Sequence, residues 1–168
     1  MLPLLIVNPR SAGGRTGEVF EQMRGPIERE LGPFEVAFTD RARHATDLAR
    51  DAALAGRDMV VAVGGDGSIH EVVCGLMEAR DAGKKPPALG IIGQGTGGDF
   101  RKTLGLDHRL DRYCRVIAER RSRSIDVGRF SYIDHEAWDG QFHVHAFHSF
   151  PQERTVVKTQ TIFELPPA

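Results

Sequence analysis

Met59-Val60-Val61-Ala62-Val63-Gly64-Gly65-Asp66-Gly67-Ser68-Ile69-His70-Glu71 is the stretch on which the fold turns. Five apolar residues run without a polar break, the pattern of a strand buried on both faces. They end in two glycines, a carboxylate and a third glycine, and helical spacing follows from Ser68. A strand therefore hands the chain to a helix N-terminus through a turn made of glycine. Glycine lets a backbone approach a bulky anion closely and take positive φ at little cost. The free N–H groups of the helix's first turn attract phosphate. Asp66 adds a carboxylate that can hold Mg²⁺ on that phosphate or accept a proton from an attacking hydroxyl.

The same unit recurs on either side. Leu4-Leu5-Ile6-Val7 is an apolar run ending at Asn8-Pro9, with Gly13-Gly14 behind it. Residues 88–92 form another run, ending in the glycines of 93–98. Between these lie a helical stripe over 16–31 (Val19, Phe20, Met23, Ile27, Leu31), an alternating strand over 34–39, and a helix over 44–55. Gly25-Pro26 is expected to kink or split the first helix. Leu48, Ala52 and Ala55 form the expected apolar side of the second, and Gly56 stops it. Further helices are expected over 68–79, 99–104 and 110–119, a loop over 83–87 and a strand over 125–130. This order predicts an α/β fold: a parallel β-sheet with helices on both faces, its ligands beyond the carboxyl ends of the strands. From about Ala137 the texture changes. Residues 142–147 and 155–163 read as strands with no helix between them. The division expected is an α/β lobe over 1–128 and the incomplete start of a β-rich unit over 129–168.

The composition narrows the function. Of 168 residues 40% are hydrophobic and 27% charged, with a net charge of −1, which leaves no basic footprint for nucleic acid. Two cysteines, Cys74 and Cys114, without a CxxC pair fit a reducing compartment rather than a disulfide framework. No apolar stretch approaches the roughly 20 residues of a membrane span. Met1-Leu2-Pro3 leads straight into a strand without the pattern of a signal peptide. A cytoplasmic location, at most peripheral to the inner membrane face, is expected.

Several patterns have plainer readings. Ser68-x-x-Glu71 fits a capping box, as does Thr96-x-x-Asp99. A capping box needs neither Gly64-Gly65 nor Asp66, so the glycine motif is read as nucleotide-binding. Gly93-Gln94-Gly95-Thr96-Gly97-Gly98 is formally G-x-G-x-x-G. It stands after the fourth strand with a helix downstream, where a dinucleotide fingerprint needs the first βαβ unit. Residues 97–103 resemble a Walker A loop, but Arg101 occupies the second glycine's place. His143, His145 and His148 alternate across a strand and are read as a loosely packed cluster rather than a metal site. The arginines between 109 and 129, mixed with Asp111, Glu119 and Asp126, read as a solvated face.

Together these elements resemble the diacylglycerol kinase catalytic domain, a family that includes bacterial lipid kinases and sphingosine kinases. Asn8-Pro9-Arg10-Ser11-Ala12-Gly13-Gly14 is similar to its opening Asn-Pro-x-Ser-Gly. Thr39 with His44-Ala45 is similar to its Thr…His-Ala segment. Gly64-Gly65-Asp66-Gly67-Ser68…Glu71-Val72-Val73-x-Gly75-Leu76 resembles Gly-Gly-Asp-Gly-Thr…Glu-Val-x-Asn-Gly-Leu. Gly95-Thr96-Gly97-Gly98-Asp99-Phe100 resembles Gly-Thr-Gly-Asn-Asp-Phe, and Ile125-Asp126-Val127-Gly128 the strand leading out of the lobe. Ser68 keeps threonine's hydroxyl, whereas Cys74 and Gly98 each replace an asparagine. The family's second, β-rich lobe, which helps bind the lipid, is mostly absent.

The resemblance implies ATP across the strand ends, surrounded by Asn8, Thr39, residues 64–68 (Gly64, Gly65, Asp66, Gly67, Ser68), Glu71, Gly95 and Thr96. It implies Mg²⁺ and catalytic work at Asp66, and a lipid acceptor, diacylglycerol- or sphingoid-like, at a membrane surface. With no Walker lysine, Arg10, Arg15, Arg41 or Arg43 is expected to supply positive charge. Competing readings are another kinase sharing Gly-Gly-Asp-Gly, such as NAD kinase or phosphofructokinase, and a nucleotide-binding module without catalysis. Asn8-Pro9 and Glu71-Val72-Val73 favour the lipid branch. A complete site in so short a chain would call for a homodimer.

Overall fold

The structure, a computed structural model, describes residues 1–95, 97–122, 124–130, 143–145 and 157–159. Four parallel strands form the main sheet in the order β2-β1-β3-β4: β1 (Leu4–Val7), β2 (Glu35–Phe38), β3 (Met59–Gly64) and β4 (Ala88–Gly93). The central pair, β1 and β3, is buried at every position. Each fully buried aliphatic side chain there contributes about 1.5–3 kcal/mol. At the edge, β2 is half-exposed.

The strand order dictates the layers. From β1 the chain steps outward to β2, then crosses back over to β3. Right-handed crossovers in opposite directions place α1 (Arg15–Leu31) on one face and α2 (His44–Leu54) on the other. The step from β3 to β4 continues in the second direction, so α3 (Asp66–Asp81) packs beside α2. The short α4 (Asp99–Thr103) follows β4, and α5 (Leu110–Ala118) packs against α1. The expected parallel sheet with helices on both faces is what forms.

Two expectations for the helices are corrected. Pro26 does not split α1 into two elements; the helix runs through it to Gly32, whose N–H closes on the Glu28 carbonyl at 2.9 Å. Phe20 and Ile27, both fully buried, pin it from either side of the proline. In α2 the buried side is Ala45, Ala49, Ala52 and Ala53, while Leu48 is only partly covered and Ala55 is exposed. The reason is how closely α2 and α3 approach. A Cβ on Gly75 would collide with the Thr46 carbonyl and stand 2.9 Å from Arg50 N. Only small residues permit that contact. Around its rim Arg50 pairs with Asp47 at 3.1 Å and Glu78 at 3.2 Å.

The strand expected over 125–130 begins at Val127 and does not join the parallel sheet. This strand, β5 (Val127–Phe130), pairs antiparallel with β6 (His143–His145) and β7 (Val157–Thr159). Position 128, the expected end of the first lobe, therefore falls inside β5. The rest of the strands expected over 142–147 and 155–163, His148, and the side chains of His143 and His145 lie outside the described residues.

Candidate functional site

Because β1 leads to one side of the sheet and β3 to the other, a crevice opens between their carboxyl ends. Asn8, the first residue beyond β1, bridges it. Its backbone N–H donates to the Val63 carbonyl at 3.0 Å, and its side-chain Nδ2 donates to Ser68 Oγ at 3.0 Å. Its Oδ1 accepts the Arg10 N–H at 3.0 Å, so the amide is fixed at both ends. Ser11 Oγ donates to the Asn8 carbonyl at 2.7 Å and lies 2.7 Å from Thr16 Oγ1. Ser68 and Thr16 are buried, and such hydroxyls must be satisfied within the protein. Among the described residues no buried side-chain nitrogen or oxygen lacks a partner.

The glycines make the crevice narrow. Gly65 and Gly95 lie back to back: a Cβ on Gly95 would stand 2.7 Å from Gly65 Cα. The Gln94 N–H donates to the Gly64 carbonyl at 2.8 Å, tying the two loops further. A Cβ on Gly64 would overlap Ser68 Oγ. Gly67 is open to solvent on its side-chain side. Of the residues the sequence nominates, Asn8, Gly64, Gly65, Asp66, Gly67, Ser68 and Gly95 meet here. Thr96 lies outside the described residues.

The capping box expected over 68–71 does not form, and the one expected at Thr96 lies outside the described residues. The N-cap of α3 is Gly65, with no side-chain cap, so Ser68 lies inside the first turn and turns its hydroxyl to Asn8. The N-cap of α4 is Gly98, not Thr96, and α4 is capped from another element altogether: Asp66 Oδ2 accepts the Asp99 N–H at 3.2 Å, and Oδ1 the Phe100 N–H at 3.4 Å. A carboxylate offers about four lone-pair sites. Two backbone donors leave others for a cation or a hydroxyl.

Glu71 serves α2 instead of its own helix. Its Oε2 accepts the Ala45 N–H at 3.2 Å, and its carbonyl accepts the Thr46 hydroxyl at 3.0 Å. This carboxylate therefore fixes the start of α2, the helix entered after Thr39. The Thr39 N–H donates to the Val7 carbonyl at 2.9 Å, which sets Thr39 beside Asn8 at the sheet's end. Among the four arginines offered for positive charge, Arg41 is spent on Asp47 at 2.7 Å, and Arg43 faces Glu78 at 3.9 Å. Arg10 and Arg15 form no ion pair among the described residues.

Three residues of the site's support escaped the sequence reading. Tyr113, on α5, is 2% exposed and takes the Gly93 N–H on its phenolic oxygen, which lies 3.2 Å from His108 Nδ1. Burial pushes this phenol above its ordinary pKa. Arg101, on α4, donates to the Leu106 carbonyl at 2.9 Å and lies along the loop of residues 93–98. A tyrosine in an apolar stripe is a weak signal; an arginine three residues after a positive-φ glycine was read only as the break in a Walker pattern. Elsewhere, a cleft of about 160 Å³ opens at the amino ends of β3 and β4, lined in part by Asp58, Met59, Ile117 and Arg120. It sits at the opposite end of the sheet from these glycines.

Comparison with known proteins agrees with this geometry. Residues 3–130 match the family model of the diacylglycerol kinase catalytic domain. The chain is 34% identical over 133 residues to the diacylglycerol kinase of Bacillus subtilis, covering 74% of this chain and 40% of that protein. It is 38% identical over 124 residues to a Chromohalobacter salexigens protein named "Probable lipid kinase YegS-like", covering 74% of this chain and 38% of that one. A crystal structure of a diacylglycerol kinase from Bacillus anthracis str. Sterne superposes with a TM-score of 0.65 at 27% identity, over 76% of this chain and 42% of that one. The chain thus spans less than half the length of these relatives. With the family model matched from Pro3 to Phe130 and the glycine crevice built as described, the chain belongs to the diacylglycerol kinase catalytic domain family.

Proposed function

We propose that this chain is the nucleotide-holding part of an ATP-dependent lipid kinase. ATP would lie across the carboxyl ends of β1, β3 and β4, with Asn8, Thr39, residues 64–68, Gly95 and Thr96 around it. Asp66 would meet Mg²⁺ on the phosphates or the proton of the acceptor hydroxyl. Bound Mg²⁺ would neutralise charge on the transferring phosphoryl group, while the glycine backbone holds the donor in place. The acceptor would be a diacylglycerol- or sphingoid-like hydroxyl presented at a membrane surface, met peripherally from the cytoplasm. Among the described residues no helix is long and apolar enough to cross a membrane.

The observation that carries this reading is the closure of the crevice from both sides: Asn8 bonded to Ser68 across the switch point, and Gly95 pressed onto Gly65 beside a carboxylate with spare lone pairs. Glu71 enters as the residue that positions α2 and Thr39 rather than as a ligand.

The short span relative to the relatives favours a more specific expectation, that the isolated chain holds nucleotide without turning over lipid. Holding an acceptor in line is worth roughly 7–11 kcal/mol of barrier. In this reading residues 1–128 supply the donor site, and the acceptor cleft is formed elsewhere. Isothermal titration with Mg-ATP, alongside labelled-ATP assays on mixed diacylglycerol and sphingoid acceptors, tests both parts. Binding that Gly65→Val abolishes, with no lipid product, is expected. Folded protein that binds no nucleotide overturns the site. Robust turnover lost in Asp66→Asn would mean that this chain, alone or as a dimer, carries a complete catalytic centre.

A further inference from the structure

We propose that Arg101 is the cation of the phosphate site, and that it fills the place left empty by the glycine at 98. This rests on the nucleotide reading above and names the residue it lacks.

The argument begins at the loop of residues 93–98. Gly98 has φ +61°, a left-handed conformation that glycine and asparagine tolerate best. The family motif carries asparagine at this position, and here there is no side chain. Into that space comes the Arg101 guanidinium: a Cβ on Gly98 would stand 3.0 Å from Arg101 Nε and 3.2 Å from Nη2. At the other end of the loop, Arg101 Cδ is 3.8 Å from where a Cβ on Gly93 would lie. The side chain therefore spans the loop from its first glycine to its last. Asparagine at 98 and arginine at 101 cannot both occupy this volume without one moving.

The chemistry of the group decides what it can hold. A guanidinium carries five N–H donors. One bond, from Nη1 to the Leu106 carbonyl, anchors it and leaves the Nε and Nη2 edge toward the loop. Arg101 has no carboxylate partner among the described residues. Its neighbour Lys102 is 3.0 Å from Asp99, and of the arginines offered for positive charge Arg41 and Arg43 face acids, while Arg10 and Arg15, like Arg101, do not among the described residues. Arg101 is also half-buried, where its charge is less screened than on an open surface. A planar fork with a free edge beside backbone glycine matches a phosphate oxygen pair. Its ligand class is accordingly the polyphosphate of a nucleotide, not the base or the ribose.

The test is titration of the whole chain with Mg-ATP, inorganic tripolyphosphate and adenosine. Arg101→Ala is expected to weaken ATP and tripolyphosphate roughly 10- to 100-fold, the range of one or two charge-assisted hydrogen bonds, and to leave adenosine unchanged. Gly98→Asn combined with Arg101→Ala, which restores an amide and clears its space, is expected to recover most of the loss. A purely structural role through Leu106 would lower thermal stability without changing the ratio of ATP to adenosine affinity, and that result overturns the proposal. Wild type that binds neither ATP nor tripolyphosphate overturns the nucleotide reading and this one with it. Wild type that binds both, with Arg101→Ala equal to it, overturns this one alone.

Discussion

The two glycine-rich strand ends that meet in the crevice look alike in sequence and are held by different forces. After β3 the chain enters α3, a helix of 16 residues with eight of them buried. It is fixed by close packing, Gly64 under Ser68 at its start and Gly75 against the α2 backbone further along, with one polar tie from Asn8 to Ser68. After β4 the chain enters α4, five residues with none buried. That segment is held mainly by polar contacts: Asp66 on its first amides, its own Arg101 along the loop, and Tyr113 on Gly93. The first end is a rigid floor. The second is a clasp whose fasteners are the same kinds of group a phosphate or a cation would use. Coupling of ligand to structure is therefore expected on the β4 side and not on the β3 side.

The comparison breaks most sharply at Gly75. A methyl there would drive into the Thr46 carbonyl, a backbone atom that cannot swing aside. Gly75→Ala is expected to cost about 3 kcal/mol, at the upper end of overpacking, as α2 and α3 are forced apart. Gly67→Ala, in the same helix with nothing within 4 Å of its Cβ position, is the control. It is expected to be neutral or stabilising by up to about 1 kcal/mol through helix propensity. Denaturant unfolding of both variants measures the difference.

Alkaline pH probes the other side. Tyr113 and Cys114 are adjacent on α5, both buried, and burial pushes both groups up, the thiol from 9.0 to about 11. A raised acid resists ionisation in the folded state, so unfolded chains lose their proton first. The stability held by Cys114 is complete below pH 9 and is lost as pH rises through about 11. On the order of 2–3 kcal/mol is at stake. Cys114→Ala, though less stable at neutral pH, is expected to show a flatter decline between these values. Parallel curves for wild type and variant would remove the thiol from the account.

What was legible follows the same division. Strand runs, the parallel order and the β3–α3 turn could be read because burial on both faces leaves an uninterrupted apolar signature, and because glycine at a close approach has few substitutes. Asn8 and Ser68, nominated together with Asp66, are bonded to one another across the strand ends, and Asp66 opens the helix that carries Ser68. The partners were not legible. Glu71 fits a capping box with Ser68 by local spacing, yet it bonds to Ala45, 26 residues away. Asp66 caps a helix 33 residues downstream. Such contacts depend on which strands become neighbours, which no short window of sequence contains. Arg101 was passed over for the same reason: its meaning lies in the empty space at Gly98.

The smallest effect separates the two roles of Asp66. As a cap it accepts the Asp99 and Phe100 amides, and losing an N-cap costs about 1 kcal/mol. Because α4 is short and has no fully buried residue, with only Phe100 leaning on the core, that loss is expected to stay local. Asp66→Ala is expected to lower global stability by about 1 kcal/mol or less, but to raise hydrogen exchange at Asp99 and Phe100 well beyond any change in β3 or the later turns of α3. Asp66→Asn keeps a carbonyl oxygen and is expected to retain part of that protection while losing the carboxylate's charge. A variant that keeps the clasp and loses the charge allows nucleotide and metal binding to be measured without disturbing α4. Equal exchange at Asp99 and Phe100 in wild type, Asp66→Asn and Asp66→Ala would show that the β4 side is held as firmly as the β3 side, and would remove the distinction drawn between them.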